Sequence, residues 1–106
     1  VYYYPLSDVF LPGEPGRGSA AKVVAVHKAL GDTRRLELLT LLREAPKSLA
    51  QLTETLGATK SNVHHHLVLL RAAGLVRVES GVYTMNTEAV LQVGGELRAY
   101  LNLSTP

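Results

Sequence analysis

From Ser19 onward the hydrophobic positions fall at three- and four-residue steps, the spacing that lines one face of a helix. "SAAKVVAVHKALG" opens with Ser19 as N-cap and stops at Gly31, with Val23, Val26, Ala29 and Leu30 as its apolar positions. "DTRRLELLTLLREA" follows at once, with Asp32 as N-cap and Pro46 as the stop. Its buried stripe reads as Leu36, Leu39 and Leu42, with Leu38 as a further candidate. "SLAQLTETLG" is a short third helix, capped by Ser48, ended by Gly57, and apolar at Leu49, Leu52 and Leu56. "ATKSNVHHHLVLLRAAG" is a fourth, capped by Thr59 and ended by Gly74. Val63, Leu67 and Leu70 face inward along it, with Lys60, Ser61, His64 and Val68 roughly opposite.

The period then changes to two. "LVRVE" and "VYTMN" alternate apolar and polar residues around the turn signal "SG", which predicts a β-hairpin. "TEAVLQVGGELRAYLN" returns to the helical period from Thr87 as a fifth helix, weakened in its middle by Gly94 and Gly95. The predicted fold is mainly α with a small β-hairpin. A short helix, a tight glycine turn and a longer helix with a polar N-terminal face make a helix-turn-helix, and the hairpin after it makes a winged helix-turn-helix. That domain covers residues 19–106. Residues 1–18 read as an extended N-terminal segment, with Tyr2, Tyr3, Tyr4, Val9 and Phe10 as packing residues, followed by the Pro/Gly linker "LPGEPGRGS".

Composition narrows the chemistry. The chain has 106 residues, 46% of them hydrophobic and 19% charged, which suits one small globular domain. There is no cysteine, so disulfides, thiolate metal sites and thiol catalysis are all excluded, and a reducing cytoplasm is the expected setting. No apolar run approaches about 20 residues, so no membrane span is expected. "VYYYPLSDVF" lacks the layout of a signal peptide. It also lacks an initial methionine, which suits a chain processed or excised from something longer.

Three of the four histidines stand together as His64, His65 and His66. Consecutive helical residues point about 100° apart, so neighbouring histidines do not readily share one tetrahedral ion. The positions four residues away are Lys60, Ser61, Asn62, Val68, Leu69 and Leu70, and none completes a ligand pair. No metal and no cofactor is expected. His27 reads as an ordinary surface or half-buried histidine. No phosphate loop, nucleophile elbow or His-Glu-x-x-His motif is present, so an enzyme is not expected.

"KALGDTRRLELLTLL", "SLAQLTETLG" and "HHLVLLRAAGLV" together resemble the ArsR/SmtB-type winged-helix transcriptional regulators, over about residues 22–86 plus the terminal helix. The resemblance implies a cytoplasmic homodimer, usually a repressor, that pairs through its first and last helices and binds two-fold double-stranded DNA. It places Ala25, Leu30, Val90, Leu97, Tyr100 and Leu101 at the dimer contact. It also has limits. The cysteine pair of the metal-sensing members is missing from "SLAQLTE", and the last helix has no histidine for the zinc site that others use. The wing is short, with Arg77 as its one nearby basic residue. No residue identifies an effector.

DNA affinity comes mostly from phosphate neutralisation. Between Asp32 and Val78 stand seven basic residues (Arg34, Arg35, Arg43, Lys47, Lys60, Arg71, Arg77) against four acidic ones (Asp32, Glu37, Glu44, Glu54), a balance of +3. Lys47, Ser48 and Thr59 sit at predicted helix starts, where backbone N–H groups favour a phosphate. For Arg34, Arg35 and Arg43 the ordinary reading is a solvated face. Lys60, Ser61, Asn62, His64 and His65 are the candidates for base readout, with Arg71 and Arg77 nearer the backbone. His66, turned toward Val63 and Leu70, reads as a packing residue that anchors the helix. Two alternatives stay open: a winged helix that binds only protein, and the C-terminal DNA-binding part of a longer regulator with its sensor upstream.

Overall fold

A computed structural model describes residues 19–103. The extended segment and linker expected over residues 1–18 lie outside the described residues. The element order is α1 (Ala20–Leu30), α2 (Thr33–Glu44), β1 (Lys47–Ser48), α3 (Leu49–Leu56), α4 (Lys60–Ala72), β2 (Val76–Glu79), β3 (Val82–Met85), α5 (Thr87–Leu91) and α6 (Val93–Leu101). This is the winged helix-turn-helix layout that the sequence predicts.

Each of the first four helices starts at the residue whose side chain suits the task. Ser19, Asp32, Ser48 and Thr59 have extended backbone, and each accepts a hydrogen bond from an amide in the following first turn. Ser48 does so reciprocally: its hydroxyl accepts from the Gln51 amide while the Gln51 side chain accepts from the Ser48 amide. Gly57 ends α3 in the left-handed region at φ 65°, which redirects the chain into α4 within two residues. Ser80 and Gly81 both have positive φ, so the wing closes on a two-residue tip whose twist matches its strands.

The core is aliphatic. Leu38, Leu39, Leu42, Leu52, Val63, Leu67, Leu70 and Leu75 are buried, joined by Val26, Ala29, Ala73, Val76 and Tyr83. α4 lies at its centre, packed on α1, α2, α3 and β2. A helix packed on four neighbours has little freedom to shift, which suits an element that presents a binding surface.

Three expectations need correction. Leu36, placed on the buried stripe of α2, is 48% exposed, while Leu38 is fully buried. The true stripe is Arg35, Leu38, Leu39 and Leu42, the i, i+3, i+4, i+7 pattern of one helix face, and its first member is an arginine. Arg35 is therefore not on a solvated face: it is 8% exposed. Arg34 is only half-buried and reaches the carbonyl of Leu56 at the end of α3 (3.4 Å), while Arg43 is exposed as expected. Second, the hairpin is part of a three-stranded antiparallel sheet in the order β1-β3-β2, because Lys47 pairs with Tyr83 and Ser48 with Val82. A two-residue strand is too short to show a period in the sequence. Third, the fifth helix is two helices. The chain breaks at Gln92, two residues before the glycine pair, and α6 restarts without a side-chain cap.

Urea unfolding checks the corrected stripe. Leu38→Ala is expected to cost about 2–5 kcal/mol and Leu36→Ala less than about 1 kcal/mol. Arg35→Ala is expected to cost about 3 kcal/mol against roughly 0.5 kcal/mol for Arg43→Ala.

Candidate nucleic-acid interface

The fourth helix divides its histidines by the geometry of its own turn. Val63, His66, Leu67 and Leu70 are buried, while Lys60, Ser61, Asn62, His64, His65, Val68 and Arg71 are exposed. The first two turns of α4 thus present a lysine, a serine, an asparagine and two imidazoles to solvent, all short or flexible groups able to donate or accept hydrogen bonds. Behind them Thr59 Oγ1 accepts from the Asn62 amide (3.1 Å) and fixes where the helix begins. The remaining first-turn amides and the positive end of the helix dipole point the same way.

His66 is 9% exposed and is held by Arg35. The Arg35 guanidinium reaches three acceptors on two other elements. Its Nε donates to the Ala29 carbonyl (2.7 Å), Nη2 to the Lys28 carbonyl (3.1 Å) and Nη1 to His66 Nδ1 (3.0 Å). Arginine has only donors, so Nδ1 must accept and the imidazole proton must sit on Nε2. Among the described residues Arg35 forms no ion pair. Its charge is met instead by the carbonyls at the negative end of α1. Burial, above all, lowers the pKa of His66 from its usual range; the pull of Asp32 is the next largest influence and opposes it, with smaller repulsions from Arg35, His65 and Arg34 adding to burial. Asp32 stays ionised below the ordinary carboxylate range, chiefly because its carboxylate accepts from the Arg34 amide at 2.8 Å.

The other sequence candidates are spread around this centre. Lys47 is half-buried in β1 and not at a helix start, while Ser48 does cap α3. Arg71 in the last turn of α4 and Arg77 on β2 are both exposed, and they line an open groove of about 530 Å³ with Glu79 and Asn86 among its other walls. Asn86 was missed from sequence. It caps α5 through its side-chain oxygen and donates to the Gly74 carbonyl (3.0 Å), tying the end of α4 to the start of α5. Arg35 was missed as well, although the spacing back from Leu42 through Leu39 and Leu38 points to it. Among the residues expected at a dimer contact, Leu97, Tyr100 and Leu101 are exposed. Ala25, Leu30 and Val90 are half-buried, and Leu30 and Val90 pack on the chain's own core. Among the described residues no three His, Cys, Asp or Glu side chains converge as metal ligands, and no helix is long and apolar enough to cross a membrane.

Known proteins share this arrangement. A family model described as "Bacterial regulatory protein, arsR family" matches residues 32–78. The chain is 41% identical over 58 residues to the HTH-type transcriptional regulator NmtR of Mycobacterium tuberculosis, covering 55% of this chain and 48% of NmtR. It is 33% identical over 67 residues to the transcriptional activator HlyU of Vibrio cholerae, covering 63% of this chain and 62% of HlyU. The chain thus spans less than two thirds of the length of these curated relatives. A solved structure of HlyU from Vibrio cholerae superposes with a TM-score of 0.57 at 34% identity, covering 76% of this chain and 94% of that one. An ArsR-like transcriptional regulator from Rhodococcus sp. RHA1 superposes with a TM-score of 0.64 at 29% identity, covering 74% of this chain and 77% of that one. Matching in sequence and in three-dimensional superposition, the chain belongs to the arsR family of bacterial regulatory proteins.

Proposed function

We propose that the chain is a DNA-binding transcriptional regulator that reads the major groove with α4 as a homodimer. The observation that carries this reading is the exposed side of the first two turns of α4, where Lys60, Ser61, Asn62, His64 and His65 project from a helix whose other face is committed to the core. Asn62 suits a bidentate contact to adenine, and Lys60 a guanine edge or a phosphate. His64 and His65 add donors and acceptors beside them. Ser48 and Thr59 supply N-cap hydroxyls, and Lys47, Arg71 and Arg77 supply charge, for the sugar-phosphate backbone on either side.

The homodimer reading rests on apolar side chains left uncovered on the terminal helices. Val24 of α1, Leu91 of α5, and Leu97, Tyr100 and Leu101 of α6 are all exposed, Leu91 at 77%. α1 and α6 pack on each other and are linked by Lys22 and Glu96 (3.7 Å), so these residues belong to one structural unit. Two such units joined across a two-fold axis place their reading helices on half-sites about 10 base pairs apart. Leu30 and Val90 contribute from beneath, by fixing the helices that carry the contact, and Ala25 lets a partner helix approach closely. As a repressor the dimer excludes polymerase from an overlapping promoter. HlyU is named an activator, and the same occupancy of DNA from another operator position serves that sign.

Fluorescence anisotropy with duplex DNA across about 50–200 mM salt tests the reading. Binding is expected to weaken steeply as salt rises. Lys60→Ala is expected to lower the slope of log affinity against log salt by about one unit. Asn62→Ala is expected to relax base preference by about 1–3 kcal/mol at one position of the half-site. A dimeric sample that binds no duplex DNA at the lowest salt contradicts the proposal.

A further inference from the structure

The contact between Arg35 and His66 has an unusual asymmetry. A guanidinium is an obligate donor at every accessible pH, so the bond exists only while His66 Nδ1 carries a lone pair. A protonated imidazole carries N–H on both nitrogens. Nδ1 would then meet Nη1 as donor against donor and cation against cation, at a site shielded from water. The bond is also a direct polar link between α4 and the α1–α2 corner, because the same guanidinium grips the Lys28 and Ala29 carbonyls. His66 lies one turn along α4 from Asn62 and next to His64 and His65, on the buried side of the segment that carries them. We propose that the Arg35–His66 contact is a proton-operated catch: it holds the reading helix on the α1–α2 frame, and uptake of one proton by His66 loosens α4 and weakens DNA binding. The last clause rests on the DNA-reading proposal; the catch itself does not.

The surroundings of His66 favour the closed state at neutral pH. Burial opposes the charged ring most, and Arg35, His65 and Arg34 oppose it by repulsion, while Asp32 at the start of α2 is the one carboxylate acting on it among the described residues. The other elements packed on α4 add nothing that offsets this. α1 reaches the junction through the backbone carbonyls of Lys28 and Ala29. Glu54 on α3, and Arg77 and Glu79 on β2, are not among the groups that shift His66. The sign follows from the lowered folded value. The catch contributes fully above the ordinary histidine value of about 6.5, and is lost as pH falls from there through the folded value. Affinity for DNA also carries a pH dependence of the contact surface itself, apart from the catch. The wild-type profile alone therefore mixes two effects.

His66→Gln separates them, because a glutamine carbonyl accepts from Arg35 at every pH and leaves His64 and His65 in place. The full chain and this variant are compared between about pH 7.5 and about pH 5.5 by amide-exchange protection factors along α4 and by affinity for duplex DNA. In the wild type, protection over residues 63–70 and DNA affinity relative to the variant are each expected to fall about tenfold over that range. In the variant, protection is expected to stay level. Equal pH profiles for the two proteins overturn the proposal. If both lose DNA at neutral pH, the DNA reading fails and the exchange measurement alone decides the catch. If the variant does not fold, nitrogen-detected imidazole NMR of the wild type decides it. A lone pair on Nδ1 at neutral pH, with α4 protection falling in step with His66 protonation, supports the catch. Protonation of His66 without loss of α4 protection overturns it.

Discussion

A guanidinium buried against two backbone carbonyls and an imidazole fixes the geometry of this domain. Arg35 occupies a position on α2 that the helical period assigns to a leucine, and it is tolerated because α1 ends beside it, where the Ala29 carbonyl and the Lys28 carbonyl, which also accepts from the Gly31 amide, receive its protons. One side chain thereby sets the angle between α1 and α2 and supplies the bond that holds α4. An apolar residue at the same place would fill the space and remove the donor that meets the Ala29 carbonyl and the ring of His66. The consequence for the surface is direct. With His66 turned inward and locked as an acceptor, the helical turn sends His64 and His65 outward beside Asn62 and Lys60.

Local backbone chemistry does the remaining positioning. Gly57 ends α3 in a conformation that few other residues adopt, and Thr59 restarts the chain as α4 within two residues. The connection is therefore stiff, and α3 braces the helix that reads. On the other side, Asn86 ties the last turn of α4 to α5, and β1 ties the wing to the start of α3. The N-terminal half of α4 is thus held through its buried face and its cap. Among the described residues its outward side chains Lys60, Ser61, Asn62, His64 and His65 make no side-chain hydrogen bond or ion pair, which is the arrangement a preorganised binding surface needs.

Much of this was legible in the sequence because it depends on local rules. The caps at Ser19, Asp32, Ser48 and Thr59, the Ser80–Gly81 tip, and the inward set Val63, Leu67 and Leu70 follow from side-chain chemistry and spacing. What escaped depends on tertiary contacts. Arg35 hid the true stripe of α2, since a charge at its first position made Leu36 look like a better member. β1 exists only because β3 is there to pair with it. The break at Gln92 falls outside the glycine pair that weakens the helix, and the partial burial of Ala25, Leu30 and Val90 reflects packing within the chain that spacing alone does not separate from packing between chains. Of the site, the outward residues of α4 were found by period. The buried partner that orients them was not, because its nearest acceptors belong to a different helix.

The central claim is that the face of α4 opposite Arg35 reads a two-fold DNA sequence. Selection of bound fragments from a random duplex pool by the purified protein, at moderate salt, tests it most directly. The account predicts enrichment of an inverted repeat with half-sites about 10 base pairs apart, lost when Lys60 and Asn62 are replaced. Recovery of a pool with no shared motif would contradict it.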